Sequence, residues 1–336
     1  MKAVIIDEYG DADRLRLADV PVPLPGRGEV LVRLAVAGIN FIDIYMRKGI
    51  YRNSHVYGAP LPMTLGMEGA GVVVTVGEGV TAFRPGDRVA WCIVRGSYAA
   101  FAVVPADRLV PVPDGVPLET AAALMLQGLT AHYLSHSLFP LRDRQTCLVH
   151  AASGGVGQLL VQLARLRGAR VIATVGSAEK AERVRALGAA HAILYRETDF
   201  LPAVRELTGG EGVDVVYDSV GRDTIDRSLA AVRRRGTCVL FGASSGPVPT
   251  IEPIRLAEAG SLFFTRPHLA DYIASPEELR GRARDLFDAV AAGRLRVALD
   301  RELPLAAAAE AHRLMEDRRT QGKLLLRVDG DPGGGP

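Results

Sequence analysis

The chain has 336 residues, 48% of them hydrophobic, and its charges nearly cancel at 40 Lys and Arg against 38 Asp and Glu. That length exceeds one ordinary domain, so two are expected, each with its own core. Interspersed, balanced charge excludes a polybasic nucleic-acid arm or a membrane-surface helix, and no apolar run approaches the length of a bilayer span.

The opening MKAVIIDEYG turns acidic within a few residues and reads as neither a signal peptide nor a targeting helix. The first third is short β-branched runs punctuated by Gly and Pro (AVII, EVLVRLAVAG, GAGVVVTVG, DRVAW, SYAAFAVVP), the pattern of an irregular β-rich domain. From Leu118 the texture becomes helical, and strict alternation follows. Strands are predicted at 147–151, 171–175, 191–195, 213–218 and 237–242, with helices at 156–167, 178–187, 199–207 and 223–234 between them. A last strand, SLFFTR, ends at Arg266. Such alternation implies a parallel, doubly wound sheet, because parallel neighbours need crossover connections. Then come a long helix in SPEELRGRARDLFDAVAAG, a strand at 296–299, a helix at 305–315 and the strand GKLLLRV. These are too few for a third domain and are expected to complete the first. The closing DGDPGGGP (329–336) has no apolar anchor, and residues 331–336 read as a flexible tail. Cys92, Cys147 and Cys238 are odd in number and widely spaced, as in the reduced core of a cytoplasmic protein.

The most informative stretch is LVHAASGGVGQLLVQLARLRGARVIATVGSAEK, which reads as strand, glycine turn, helix and strand. Ala152 stands at the first position of the dinucleotide signature, followed by Gly154, Gly155, Val156 and Gly157. Gly154 lets a pyrophosphate approach the backbone, Gly157 lets the helix pack on the strand, and the helix N-terminus offers N–H groups to phosphate. An NAD site carries an acid about 20 residues further on, for the ribose 2′-hydroxyl. Here the second strand runs into Gly176, Ser177 and Ala178, and Lys180 follows the first acid, Glu179. Space and donors in place of a carboxylate point to NADPH, although Lys180 would also serve as an ordinary solvated lysine.

The chain resembles the zinc-free quinone oxidoreductases, the zeta-crystallin-like branch of the medium-chain dehydrogenases/reductases, over nearly its whole length. The stretches that carry this are GINFIDIYMRKGIY, LPMTLGMEGAGVV, GDRVAW, HAASGGVGQLLVQLA, TVGSAEKAERVRALGA, VVYDSVGRDT and TQGKLLL. The resemblance implies an α/β protein with a GroES-like catalytic domain (1–123 and 267–330) and a Rossmann domain (124–266), the active site lying in the cleft between them. It implies that Gly176, Ser177, Lys180 and Tyr195 hold the 2′-phosphate and that Gly155 and Val156 lie under the pyrophosphate. Phe241, Gly242, Ala243 and Ser244 with Phe264, Thr265 and Arg266 would line the path to the nicotinamide, and Tyr133 and Arg318 would add contacts. It also implies a homodimer joined through the SLFFTR edge strand.

Zinc-dependent relatives carry Cys and His where this chain has Asn40 and Met67, neither a usual zinc ligand, so no metal is expected. His132 and His136 stand four apart on a helix without a third ligand nearby, and read as packing or surface histidines. Asn40, Asp43, Tyr45 and Tyr51 cluster in a loop that the resemblance assigns to the active site. Asn40 N–H and tyrosine O–H donors would stabilise negative charge growing on a quinone oxygen, with Asp43 orienting them. A polar loop capping a helix would carry the same four residues. An NADPH-dependent enone or enal reductase fits the same chemistry. An NADPH-sensing or RNA-binding protein is the alternative of another class, and the lack of a basic patch interleaved with aromatics argues against nucleic acid.

Overall fold

Val30, Val32, Leu34 and Val36 recur at every second residue along the strand Glu29–Gly38 and are all buried. Period-two burial of this kind makes a strand the backbone of a sheet. The computed structural model containing it describes residues 1–54 and 57–328, so the tail expected at 331–336 lies outside the described residues. The chain divides into two units, Met1–Leu129 with Ile273–Pro336, and Thr130–Tyr272.

In the first unit the main sheet runs in the order Leu299–Pro304, Lys323–Arg327, Glu29–Gly38, Glu68–Val76, Arg88–Cys92 and Val110–Pro111, with Phe101–Pro105 also paired to Glu29–Gly38. A small sheet of Arg16–Asp19, Lys2–Ile6 and Met63–Thr64 sits beside it in the order of its hydrogen bonds. The returning strand Lys323–Arg327 pairs antiparallel with Glu29–Gly38, Leu325 facing Gly38, while Gly69 of the next strand faces Ala37. That register brings residues nearly 300 positions apart in sequence to one end of the Glu29–Gly38 strand. Leu65, Trp91, Tyr98, Leu109 and Leu324 fill the core beneath.

The second unit is a six-stranded, all-parallel sheet in the order His191–Leu194, Arg170–Val175, Thr146–Val149, Val213–Asp218, Val232–Leu240 and Phe263–Thr265. The chain enters at the centre, winds outward in one direction, and then returns to wind outward in the other. This reversal places a topological switch point between Thr146–Val149 and Val213–Asp218, where such sheets bind nucleotides at the carboxyl ends of the strands. An apolar cluster that includes Leu148, Ile172, Val216 and Cys238 fills its core.

Two expectations shift. The helix expected at 223–234 ends at Ala231, and the strand expected from 237 already begins at Val232, because Val232 pairs with Val213 and draws the arginine-rich turn into the sheet. Pairing with a neighbouring strand here overrides the helical propensity of Arg233–Arg235. The strand expected at 296–299 is instead Leu299–Pro304, paired in parallel with Lys323–Arg327. Half of its sequence, LDRELP, is charged, as suits an edge strand, so hydrophobicity misplaced it.

Candidate functional site

At the switch point the central strand stops at Val149, and Ala151 turns the chain with φ +49°, a left-handed conformation that side chains resist. Helix Gly155–Leu166 then begins with Gly154 as its N-cap. A Cβ on Gly157 would lie 2.5 Å from the Ala151 carbonyl oxygen and 2.7 Å from Ala152 Cα, so only glycine lets the helix approach this turn. The N–H groups of the first helical turn, Gly155 and Val156 included, have no partner further back in the helix.

Gly176 follows the neighbouring strand. A Cβ there would stand 2.9 Å from Tyr195 Oη and 3.5 Å from Arg196 Nε. Absence of a side chain at Gly176 thus makes room for a tyrosine hydroxyl and a guanidinium at the carboxyl ends of two adjacent strands. Ser177 caps helix Ala178–Ala186, its hydroxyl oxygen accepting the Lys180 N–H at 3.4 Å. Arg196 was missed in the sequence. Its signal was simple, a cation next to Tyr195 at a strand end, and among the described residues the exposed guanidinium has no ion-pair partner.

A second group missed in the sequence underpins the other side of the switch point. The buried Asp218 carboxylate accepts the N–H groups of Val220 (2.8 Å) and Gly221 (3.0 Å) and the hydroxyls of Thr224 (2.8 Å) and Ser228 (2.7 Å). Its carbonyl accepts the Phe241 N–H at 2.8 Å, and the turn it shapes accepts the N–H groups of Ser244 and Ser245. Phe241, Gly242, Ala243 and Ser244 are thereby fixed to the Asp218 turn, and a Cβ on Gly242 would lie 2.6 Å from the Ser219 carbonyl oxygen. His150 bridges the cluster, with Nδ1 2.9 Å from Thr174 Oγ1 and Nε2 3.1 Å from Ser228 Oγ; burial, opposed by the nearby Asp218, lowers its pKa.

Of the remaining cofactor candidates, Phe264 and Thr265 lie on the edge strand Phe263–Thr265, and Arg266 donates to the Pro267 carbonyl at 3.1 Å. Tyr133 is buried, its ring stacked on Tyr272 at 4.1 Å and 12°. Arg318 belongs to the first unit, in a left-handed turn at φ +58°, whereas the others belong to the second.

In the first unit, helix Phe41–Arg47 starts at Asn40, whose backbone N–H donates to Asp43 Oδ2 at 2.8 Å. The Asn40 side chain is 2% exposed. Its Nδ2 donates to Glu68 Oε2 (2.9 Å), and its Oδ1 accepts from Lys323 Nζ (2.8 Å) and Gln127 Nε2 (3.1 Å). The backbone N–H and one amide hydrogen of Asn40 are thus engaged inside the protein.

Asp43 terminates a second buried chain. Arg47 donates to His312 Nδ1 (3.2 Å), and Arg47 can only donate, so the His312 proton sits on Nε2 and is given to the Tyr98 oxygen (3.1 Å). Tyr98 in turn donates to Asp43 Oδ2 at 3.2 Å. Burial raises the Asp43 carboxyl to about 7, against the Asn40 N–H, Lys323 and Tyr98, which lower it. Burial next to Arg47 lowers His312 to about 3. Asp43 Oδ1 has no hydrogen-bond partner among the described residues, whereas Oδ2 accepts from the Asn40 N–H and the Tyr98 hydroxyl. At the solvent end Glu316 receives both Arg47 Nη2 (3.0 Å) and Lys48 Nζ (2.6 Å). Tyr45 and Tyr51 meet edge to face at 5.8 Å, flanked by Phe41 and by Tyr57, a fourth ring that the sequence reading did not include.

The His132 and His136 rings stack at 4.2 Å, and among the described residues no group of three or more His, Cys, Asp or Glu is placed to hold a metal ion. No helix among the described residues is long and apolar enough to cross a membrane.

Residues 26–114 match the alcohol dehydrogenase GroES-like domain and residues 155–288 the zinc-binding dehydrogenase family. The chain is 43% identical to the quinone oxidoreductase of Pseudomonas aeruginosa, over 97% of this chain and 99% of that one. The chain belongs to the quinone oxidoreductase family of medium-chain dehydrogenases/reductases. It is also 43% identical to a 2-haloacrylate reductase of a Burkholderia species, over 96% of this chain and 98% of the relative. Among solved structures, the quinone oxidoreductase of Escherichia coli complexed with NADPH superposes with a TM-score of 0.93 at 39% identity, covering 97% of this chain and all of that one. The zinc in the second family description does not transfer through the residues at hand, since this member carries the committed Asn40 and the buried thioether of Met67 at the positions singled out above.

Proposed function

We propose that this protein is an NADPH-dependent quinone oxidoreductase working without zinc or flavin. The observation that carries the reading is the Gly176 gap, which Tyr195 and Arg196 border. A carboxylate there would mark an NAD site, and donors in its place fit a 2′-phosphate. Ser177, Lys180, Tyr195 and Arg196 would hold that phosphate, and the N–H groups of Gly155 and Val156 the pyrophosphate. NADPH, when bound, supplies the hydride. The chain's own part is to bind, orient and stabilise charge. Asp218 holds the Phe241–Ser244 loop in one shape, and Tyr45 and Tyr51 hydroxyls serve the substrate oxygen as negative charge grows on it. Burial of Asp43 favours its protonated form, raising its pKa to about 7.

An activated alkene is electrophilic in the same sense as a quinone, and the 2-haloacrylate reductase relative favours that second reading. We further propose a cytoplasmic homodimer joined at the outer edge of Phe263–Thr265, where Phe263 is 65% exposed, with no nucleic-acid partner. The deciding experiment follows NADPH and NADH oxidation by EDTA-treated protein with 1,4-benzoquinone, 9,10-phenanthrenequinone, 2-alkenals and 2-chloroacrylate. Quinone-dependent oxidation preferring NADPH is expected. Oxidation with none of the acceptors makes the protein a binder, oxidation with alkenes alone selects the second reading, and activity lost on chelation and restored by zinc overturns the metal-free one. Sedimentation at micromolar concentration tests the dimer.

A further inference from the structure

In the first unit Lys323 and Glu68 form an ion pair with both side chains fully buried. All three ammonium hydrogens have acceptors: the Ile39 carbonyl (3.2 Å), Asn40 Oδ1 (2.8 Å) and Glu68 Oε2. Glu68 also accepts Asn40 Nδ2 (2.9 Å) and the Leu126 N–H at the middle of helix Leu118–Tyr133. The space for this cluster is a missing side chain, because a Cβ on Gly38 would fall 1.9 Å from Glu68 Oε2 and 2.9 Å from Lys323 Cε. An apolar pair of the same volume would stabilise the core at least as well as a buried ion pair, so its presence is not explained by stability. What both members of the pair hold together is the Asn40 carboxamide, gripped on its oxygen by a cation and on its nitrogen by an anion. Asn40 starts the helix that carries Asp43 and Tyr45.

We propose that Lys323 and Glu68 are positioning residues for the reduction: from inside the core they fix the Asn40–Asp43 turn and so set where the Tyr45 hydroxyl stands. This rests on the reading of the chain as a quinone or alkene reductase. Neither residue touches substrate; each acts through Asn40. The charges are also near Asp43, which Lys323 pulls toward ionisation and Glu68 pushes away from it. Removing them therefore moves the pH at which Asp43 titrates as well as the geometry.

The test uses the neutral pair Lys323→Met with Glu68→Gln, which keeps side-chain volume and leaves no unpaired buried charge. Glu68→Asp alone is the second variant if the neutral pair does not fold, since it keeps both charges and draws the carboxylate back from Asn40 by one methylene. Each is made with Tyr45 and with Tyr45→Phe. NADPH stoichiometry and Kd by fluorescence define the competent fraction, and kcat and KM for 1,4-benzoquinone are expressed per competent site. The NADPH Kd is expected to stay unchanged while kcat falls about 10- to 100-fold, the scale of small misplacements of catalytic groups. In the Tyr45→Phe background that loss is expected to shrink severalfold, as coupled sites require. Wild-type kcat in whichever variant folds, or an equal loss with and without the Tyr45 hydroxyl, overturns the proposal. Wild-type protein that reduces neither quinones nor alkenes overturns it together with the functional reading, and is told apart because no variant is involved.

Discussion

Replacing Asp43 and His312 one at a time should give pH-dependent stability differences of opposite sign, although a single tyrosine hydroxyl joins the two residues. Burial raises Asp43 from 3.8 to about 7. Between those values the folded protein keeps a proton that the unfolded chain releases, so its contribution is full below pH 3.8 and is lost as pH rises through about 7. His312 runs the other way. Burial lowers it from 6.5 to about 3, so its contribution is full above pH 6.5 and is lost as pH falls through about 3. At about 1.36 kcal/mol per unit, each window of roughly three units amounts to up to ~4 kcal/mol. In the wild type the two slopes offset each other where the windows overlap. Asp43→Asn removes the falling slope, so this variant should gain on the wild type as pH rises from about 4 to 7. His312→Gln removes the rising slope and should lose ground to the wild type from about pH 3 to 6.5. Urea unfolding followed by Trp91, the chain's one tryptophan and a buried residue of the same unit, measures both differences. Differences that do not change with pH, or that share a sign, would refute the reasoning.

Lys180→Ala and Arg196→Ala should each weaken NADPH binding about 10-fold, the lower end for a hydrogen bond to a charged group because both side chains reach solvent; fluorescence titration at fixed ionic strength should show NADH unchanged, and equal weakening of both cofactors counts against the site. Gly176→Asp should reverse the cofactor preference, because its carboxylate would displace the Tyr195 hydroxyl and pair with Arg196; a variant still preferring NADPH sinks that account. Phe at both Tyr45 and Tyr51 keeps the rings and should lower kcat with quinone while leaving the NADPH Kd alone, by less than the about 2.7 to 4 kcal/mol of established oxyanion donors because a quinone is already electrophilic; unchanged kcat removes the hydroxyls from the mechanism. Asp218→Asn should raise the NADPH KM more than it lowers kcat, since it loosens the Phe241–Ser244 loop, and equal effects on both would point to general unfolding instead.

Local pattern was enough for much of this protein. The alternation of strands and helices, the turn from Ala152 to Gly157, and the absence of an acid after Val175 are all contiguous in the chain, and their physics is local: a period, a missing Cβ, a helix N-terminus. The edge strand at Leu299–Pro304 was misplaced because its charges conceal it, and only pairing with Lys323–Arg327 reveals it. Tyr195 and Arg196 come to Gly176 only because their strands lie side by side in the sheet. The stretch 40–51 was visible as four polar residues, Asn40, Asp43, Tyr45 and Tyr51, after a strand, but what Asn40 and Asp43 do depends on partners far along the chain: Lys323 and Glu68 on one side, Tyr98 and His312 on the other. No periodicity or spacing encodes such contacts, because sheet register sets them. Glu29–Gly38 lies between the strand that begins at Glu68 and the strand that begins at Lys323, so the same pairing that closes the first unit carries both buried charges to Asn40.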